Sequence, residues 1–489
     1  MLEKLFVIGI GGTGAKTMEA FVYLCAIGLG PKKADLFLID IDTHNGNLTR
    51  TREIIEKYIC IRKKLSDENK NDSHYFFTDI RLINSEPWSP LANKNLAKNT
   101  LGSFLDQYPP SPDRNYDLLR DVLFSKEELE VKLDTGCKAH PNIGSFLLAT
   151  IFDDDGFVKA LHETLVGEGD SGVFIFNSIF GGTGAAGGPV IIKGISDMFM
   201  PTKKEGDEKG LSRKPIGASV FMPYFTVPKS GETDELLRIK SETFALNAAA
   251  ALPFYKDSVP ADYIYILGDR EGPTLKKYAA GSDEQCNDAH MLEFLGALYT
   301  THFCKQNYDM SKPLQTNFRL IGLGNDSPDD LGIYFEDLPK LTFRNDSVLK
   351  KELINFQIFN IFYRHFYSQI SVKQNIRSFV WLSGLIKDGF SLQDNVLNDM
   401  VIFLEGYSKW MQQMNTNVAS LKIFNDLSRI DIMLDSQNVL EECVNIDNIN
   451  KYLNVQKISK SGNAITDLFN LLHNGINKLI DKNKLLGGE

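Results

Sequence analysis

Val173–Pro189 reads VFIFNSIFGGTGAAGGP, and an amphipathic run, Val190 to Met200, follows it directly. Period and composition predict an apolar strand, a glycine turn and a helix. The turn holds Gly181, Gly182, Thr183, Gly184, Ala185, Gly187 and Gly188. Without a Cβ the backbone can approach a ligand closely. Several N–H groups at one point, with a helix N-terminus behind them, favour an anion such as phosphate. The Thr183 hydroxyl adds a polar group at the same place. The plain alternative is a glycine-rich turn that packs a helix on a strand and binds nothing.

A related pattern opens the chain. Leu5 to Ile10 is a short apolar strand, followed by Gly11, Gly12, Thr13 and Gly14 and a helical pattern from Ala15 to Ile27. With Gly9 it forms G-I-G-G-T-G, a near match to the dinucleotide fingerprint G-x-G-x-x-G. Leu36 to Ile41 predicts a second buried strand ending at Asp40 and Asp42. An acidic residue there would meet a ribose hydroxyl in an NAD-binding fold, so an oxidoreductase remains open. Against it, no arrangement of the eight histidines suggests a catalytic centre.

The central stretch resembles the tubulin/FtsZ signature G-G-G-T-G-[TS]-G. Gly181, Gly182, Thr183, Gly184 and Pro189 match; Phe180, Ala185 and Ala186 depart from it. The opening G-x-G-G-x-G turn and the Asp40/Asp42 pair are also similar to that family, as is Gly136–Gly144, GCKAHPNIG, where Pro141 and Gly144 match a third phosphate loop. Cys286-Asn287-Asp288 resembles the start of the family's central helix, placed within a helical run over Ser282 to Cys304, and Asn307-Tyr308-Asp309 resembles its N-x-D loop. The resemblance covers about Met1 to Asp309. It implies GTP or GDP with Mg2+ between subunits. Gly11, Gly12, Thr13, Asp40, Asp42, Gly144 and the 181–185 turn would lie at the nucleotide, Glu232 would touch the ribose, and Asn287 and Asp288 would meet the base. It further implies that Asn307 and Asp309 act on the next subunit's nucleotide, giving self-assembly into filaments and a GTPase built between copies. Lys312 stands where a second acidic residue would be. It makes slow hydrolysis, or a non-hydrolysing scaffold, an open alternative in a prokaryotic, FtsZ-like setting.

Composition sets the limits. The chain has 489 residues, 43% hydrophobic and 24% charged, with a net charge of −10. That suits a globular protein and argues against a nucleic-acid surface. Six scattered cysteines without a C-x-x-C pair point away from a disulfide framework or zinc site and towards a reducing, cytoplasmic setting. No apolar run approaches the ~20 residues of a membrane span. Residues 44–134 read as an irregular, proline-punctuated insertion with helical patches near Glu53–Lys64 and Asp117–Leu133, and Asp153, Asp154 and Asp155 as a solvated loop. From Val348 the pattern is helical, with Phe356, Phe359, Phe362, Phe366 and Tyr367 spaced as a bundle core. The expected architecture is α/β: a mostly parallel sheet of tubulin/FtsZ type over 1–310 and a mainly helical region over 311–489. Either the insertion or the helical region could meet a protein partner.

Overall fold

Strand β1, Lys4–Ile10, is buried at every position after Lys4. Its residues divide by alternation, Leu5 and Val7 entering one core and Phe6, Ile8 and Ile10 the other. A strand covered on both faces belongs in the middle of a parallel sheet. The computed structural model describes residues 1–42, 44–65, 75–91, 100–106, 114–133, 141–166, 170–198, 213–226, 241–269, 285–311, 313–323, 332–338, 341, 347–370, 375–417, 420–426, 431–435, 438–440, 446–454, 456 and 460–482. The other strands are β2 (Lys33–Ile39), β3 (Asp79–Leu82), β4 (Ser171–Ser178), β5 (Ile216–Phe221), β6 (Tyr263–Asp269) and β7 (Asn317–Leu323). They form a seven-stranded sheet in the order β3-β2-β1-β4-β5-β6-β7. Every pairing in it is parallel, as expected for the α/β class.

The order reverses between β1 and β4, the switch point where ligands bind in open α/β sheets. Gly9 pairs with Leu38 on one side and Phe176 on the other, so β1, β2 and β4 run level near their carboxyl ends. Helices α1 (Gly11–Ile27), α2 (Gly46–Arg62) and α7 (Met291–Lys305) cover one face. Helices α3 (Pro141–Ala149), α4 (Asp155–Val166), α5 (Thr183–Met198) and α6 (Ser241–Ser258) cover the other.

The helical region lies on the α1/α2 side. Its long helices are α8 (Ser347–Ile370), α9 (Asn395–Asn415) and α10 (Ala464–Lys482). Phe356, Phe359, Phe362 and Phe366 of α8 are fully buried, so the aromatic stripe is bundle core. The core continues into the sheet layer: Tyr23 of α1 packs on Phe403 at 5.3 Å and Trp410 at 5.0 Å between ring centres. At the α2–α9 boundary Lys57 pairs with Asp399 at 2.7 Å.

Several boundaries differ from expectation. The helical patch expected near Glu53–Lys64 starts earlier: α2 runs from Gly46 to Arg62, capped by Asn45, whose side chain accepts from Asn47 N. Its first turns are polar, and Leu48, Thr51, Ile55 and Tyr58 are buried. β3 likewise extends the sheet from within the supposed insertion. The glycine runs are helix starts: α1 begins at Gly11 and α5 at Thr183. The helical region includes a small antiparallel sheet, Phe424–Asp426, Asp431–Asp435 and Asn438–Leu440, which the sequence reading lacked.

The reason for the glycines is close packing. A Cβ on Gly14 would stand 2.6 Å from the Phe176 carbonyl oxygen of β4, and one on Gly184 would stand 2.6 Å from Ser178 Oγ. Gly188 makes room for Asn177 and Tyr255, which bond each other at 2.7 Å. Gly14→Ala is therefore expected to lower stability by about 1–3 kcal/mol through overpacking. Urea denaturation of the two proteins checks this, and an unchanged midpoint would show that α1 can slide.

Candidate functional site

The two glycine-led helices start side by side at the carboxyl edge of the sheet. Gly11 has φ +70°, and a Cβ on it would come within 3.3 Å of Gly184 N and 3.4 Å of Thr183 Cβ. The N-termini of α1 and α5 thus converge on one crevice. The residue before α1 is Ile10, whose side chain caps none of the first-turn N–H groups. Amide groups of Gly11, Gly12 and Thr13 and the positive end of the α1 dipole suit an anion here.

Asp40 closes the crevice from the end of β2. Its Oδ1 accepts from Thr183 Oγ1 at 2.7 Å, and its Oδ2 accepts from Asn45 Nδ2 at 3.3 Å. Burial pushes its carboxyl up to about 7; the Thr183 hydroxyl opposes this, and the charge of Asp42 adds to it. A carboxyl held near neutrality repels a phosphate less than an ionised one would. Asp42 sits just outside and accepts from His44 N at 3.0 Å.

Beside Gly12 stands a group of carboxamides that sequence reasoning missed. A Cβ on Gly12 would lie 3.2 Å from Asn47 Nδ2 and 3.3 Å from Asn45 Nδ2. Asn45 Nδ2 also donates to Gln285 Oε1 at 2.9 Å. Asn47 Oδ1 accepts from Asn287 N at 2.9 Å, and Arg50 donates through Nη1 to Asn287 O at 2.9 Å. The available signal was T-H-N-G-N immediately after the Asp40/Asp42 pair. Asn45 doubles as the cap of α2, which is why that run points at the crevice.

Beneath this layer lies a buried pair. Lys16 of α1 meets Glu293 of α7 at 2.6 Å, and Tyr224 donates to the same Glu293 oxygen at 2.6 Å. Glu293 Oε2 also accepts from His290 N at 2.9 Å, while His290 Nδ1 accepts from Leu292 N and caps α7. Burial, with the Lys16 charge, holds the His290 imidazole down at about 3, so it stays neutral.

The predicted residues divide into groups. Gly11, Gly12, Thr13, Thr183, Gly184, Ala185 and Asp40 gather at or beside the crevice, with Gly181 and Gly182 in the turn before α5. Asn287 and Asp288 reach its neighbourhood, although not on a helix: 285–290 has no regular secondary structure and α7 starts only at Met291, because His290 and Glu293 form a capping box there. Asp288 Oδ1 accepts from Gln413 Nε2 at 2.6 Å. Gly144 is inside α3 and buried, not in a loop, since the helix begins at Pro141. Glu232, Lys312 and the 135–140 part of the third loop lie outside the described residues.

Asn307 and Asp309 are at the other edge of the sheet. Leu2 N donates to Cys304 O at 2.8 Å, which sets the end of α7 beside the start of β1. The 7 residues of β1 therefore separate Asn307 from the glycine turns by about 20 Å. Asn307 lines an open pocket of about 340 Å³ with Leu2, Asp170, Arg213, Lys214 and Tyr308. Asp309 Oδ1 accepts from Ser311 N at 3.2 Å and Ser311 Oγ at 2.5 Å.

These residues fit the phosphates of a nucleotide by backbone groups and a helix dipole. Among the described residues no group of three His, Cys, Asp or Glu could hold a metal ion by itself. A Mg2+ would take most of its ligands from phosphates and water, as that ion commonly does.

No protein-family profile matches the sequence, and no curated protein matches it. Among solved structures there is a likeness to CetZ2 from Haloferax volcanii in a GTPgS-bound protofilament, at 13% identity and a TM-score of 0.29. It covers 62% of this chain and 58% of that one, so the chain spans less than two thirds of the structure it resembles. Among the described residues no helix is long and apolar enough to cross a membrane.

Asp40 carries a pH signature. Its folded value is about 7 against an ordinary 3.8, so the folded protein holds the proton more tightly. Its contribution to stability is full below about pH 4 and is lost as the pH rises to 7. Asp40→Asn is expected to flatten that part of the stability profile. Urea midpoints between pH 4 and 8 would show this, and parallel profiles for the two proteins would refute it.

Proposed function

We propose that the chain binds a guanine nucleotide, GTP or GDP with Mg2+, in the crevice between β1 and β4, and that copies assemble head to tail. The observation that carries this reading is the convergence of two glycine-led helix N-termini, Gly11 against Thr183 and Gly184, at the switch point. The strand order by itself is shared with dinucleotide-binding folds. The second helix N-terminus and the engagement of Asp40 by Thr183 favour a polyphosphate over an NAD ribose.

The ordered motifs of tubulin/FtsZ type support the choice of guanine and of assembly. GTP brings the phosphoanhydride bond; the chain brings the cradle. First-turn amides of α1 and α5 hold the phosphates, and the Asn45, Asn47 and Gln285 carboxamides with Asn287 and Asp288 face the nucleoside end. Asn307 and Asp309 lie too far away to serve their own crevice. On the opposite edge they would meet the crevice of a following copy, where Asp309 accepts a proton from water and Asn307 orients it. Contacts between unlike edges of identical chains build filaments or rings. Lys312 in place of an acid supports a second reading, a nucleotide-binding scaffold that does not hydrolyse.

GTP turnover per subunit should rise steeply with protein concentration, and Asp309→Ala should abolish turnover while leaving GDP affinity intact. Turnover that is flat in concentration or survives Asp309→Ala removes the shared site; absent turnover with tight GTP binding selects the scaffold. Gly11→Val should weaken nucleotide binding at least 100-fold, about 2.7 kcal/mol, by filling the cradle at a positive φ. Undiminished binding of GDP would place the nucleotide elsewhere, and binding of NAD alone would restore the oxidoreductase reading.

A further inference from the structure

Residues 285–290, which lie in neither helix nor strand, and Met291 at the start of α7 form a strip held from two sides. On one side is α2: Asn47 N donates to Gln285 O at 3.1 Å, Asn287 N donates to Asn47 Oδ1, and Arg50 donates to Asn287 O. On the other side is the end of α9, from the helical region. Ala289 N donates to Gln413 Oε1 at 3.0 Å, and Gln413 Nε2 donates to Asp288 Oδ1 at 2.6 Å. Asn417, just beyond α9, accepts from Met291 N at 3.0 Å and donates to Ala289 O at 3.2 Å. Two carboxamides thus make four hydrogen bonds to the strip.

We infer that Gln413 and Asn417 are positioning residues for nucleotide recognition, setting Asn287 and Asp288 against the base and tying nucleotide occupancy to the helical region. This rests on the guanine-nucleotide reading above. A segment outside helix and sheet has no backbone ladder to define its place. Here groups of α2 and of the end of α9 replace the ladder, and three of the six bonds to its backbone come from more than 120 residues downstream. Gln413 serves both functions at once: its oxygen fixes the backbone of Ala289, and its nitrogen fixes the carboxylate of Asp288. The same helix packs on α1 through Trp410 and Tyr23, so a shift of the strip is felt at the α1–α9 contact.

The test uses the full chain and compares GDP, IDP, ADP and pyrophosphate by calorimetry. Gln413→Ala and Asn417→Ala should each weaken GDP binding about tenfold and narrow the GDP-to-ADP and GDP-to-IDP ratios. Pyrophosphate binding should stay as in the wild type, because its cradle is on α1 and α5. Gln413→Glu keeps the size and the acceptor for Ala289 N but sets two carboxylates together, and should lose selectivity like the alanine variant. Equal losses for GDP and pyrophosphate would indicate a merely structural role and overturn the inference, as would unchanged ratios. Should the variants fail to fold, hydrogen exchange of the wild type decides: GDP must protect the amides of Ala289 and Met291 and the end of α9, and no protection at α9 overturns the inference. Wild-type protein that binds no nucleotide overturns this and the reading beneath it; normal GDP binding with unmoved ratios overturns this alone.

Discussion

The rest of the structure depends on how closely α1 lies on the strands beside it. Gly14 rests against the Phe176 carbonyl and Gly9, and Gly11 rests against Gly184. A Cβ on Gly14 would overlap the Phe176 carbonyl, so the axis of α1 is held close against β1 and β4. The first turns of α1 and α5 then have no room to part. Two helix dipoles point their positive ends into one crevice, an arrangement that suits an anion. The same contact that packs the layers brings those two helix ends together.

Charge around the crevice is managed by neutralisation. Lys16 of α1 and Arg50 of α2 are committed to Glu293 and Glu19. A buried pair of this type is a weak source of net stability, but removing one partner strands the other. Lys16–Glu293 links α1 to the start of α7, and Tyr224 brings in the segment after β5. The pair therefore works as a registration device. It places α7, and with it both the 285–291 strip at one edge of the sheet and Asn307 at the other.

The helical region belongs to the same packing unit. α9 covers α1 and α2 with Phe403, Tyr407 and Trp410, and its last turn grips the strip beside the crevice. A change at the crevice has a short physical route to a region lying more than 100 residues away in sequence. The route consists of hydrogen-bonded carboxamides and packed aromatic rings.

The local calculus of the chain was readable without coordinates. Buried runs of Val, Ile and Phe marked β1, β2 and β4, and the glycine runs marked the crevice, because strands and tight approaches are set by neighbours in sequence. Helix starts were less readable: glycines that looked like a turn proved helical, since Gly184 and Gly188 are needed by packing against Ser178, Asn177 and Tyr255. The later turns of α2 were legible at Glu53–Lys64, while its polar first turns were not. The carboxamides of Asn45, Asn47, Gln285, Gln413 and Asn417 carry no pattern of their own; they become a group only when three distant segments meet. The sequence by itself determined that a parallel sheet would carry two glycine-led helix starts, because burial period and the lack of a Cβ are local properties. Only the tertiary structure decided that these two starts face each other, that Asn307 and Asp309 lie at the far edge, and that α9 holds the strip, because each depends on which strands are neighbours in space.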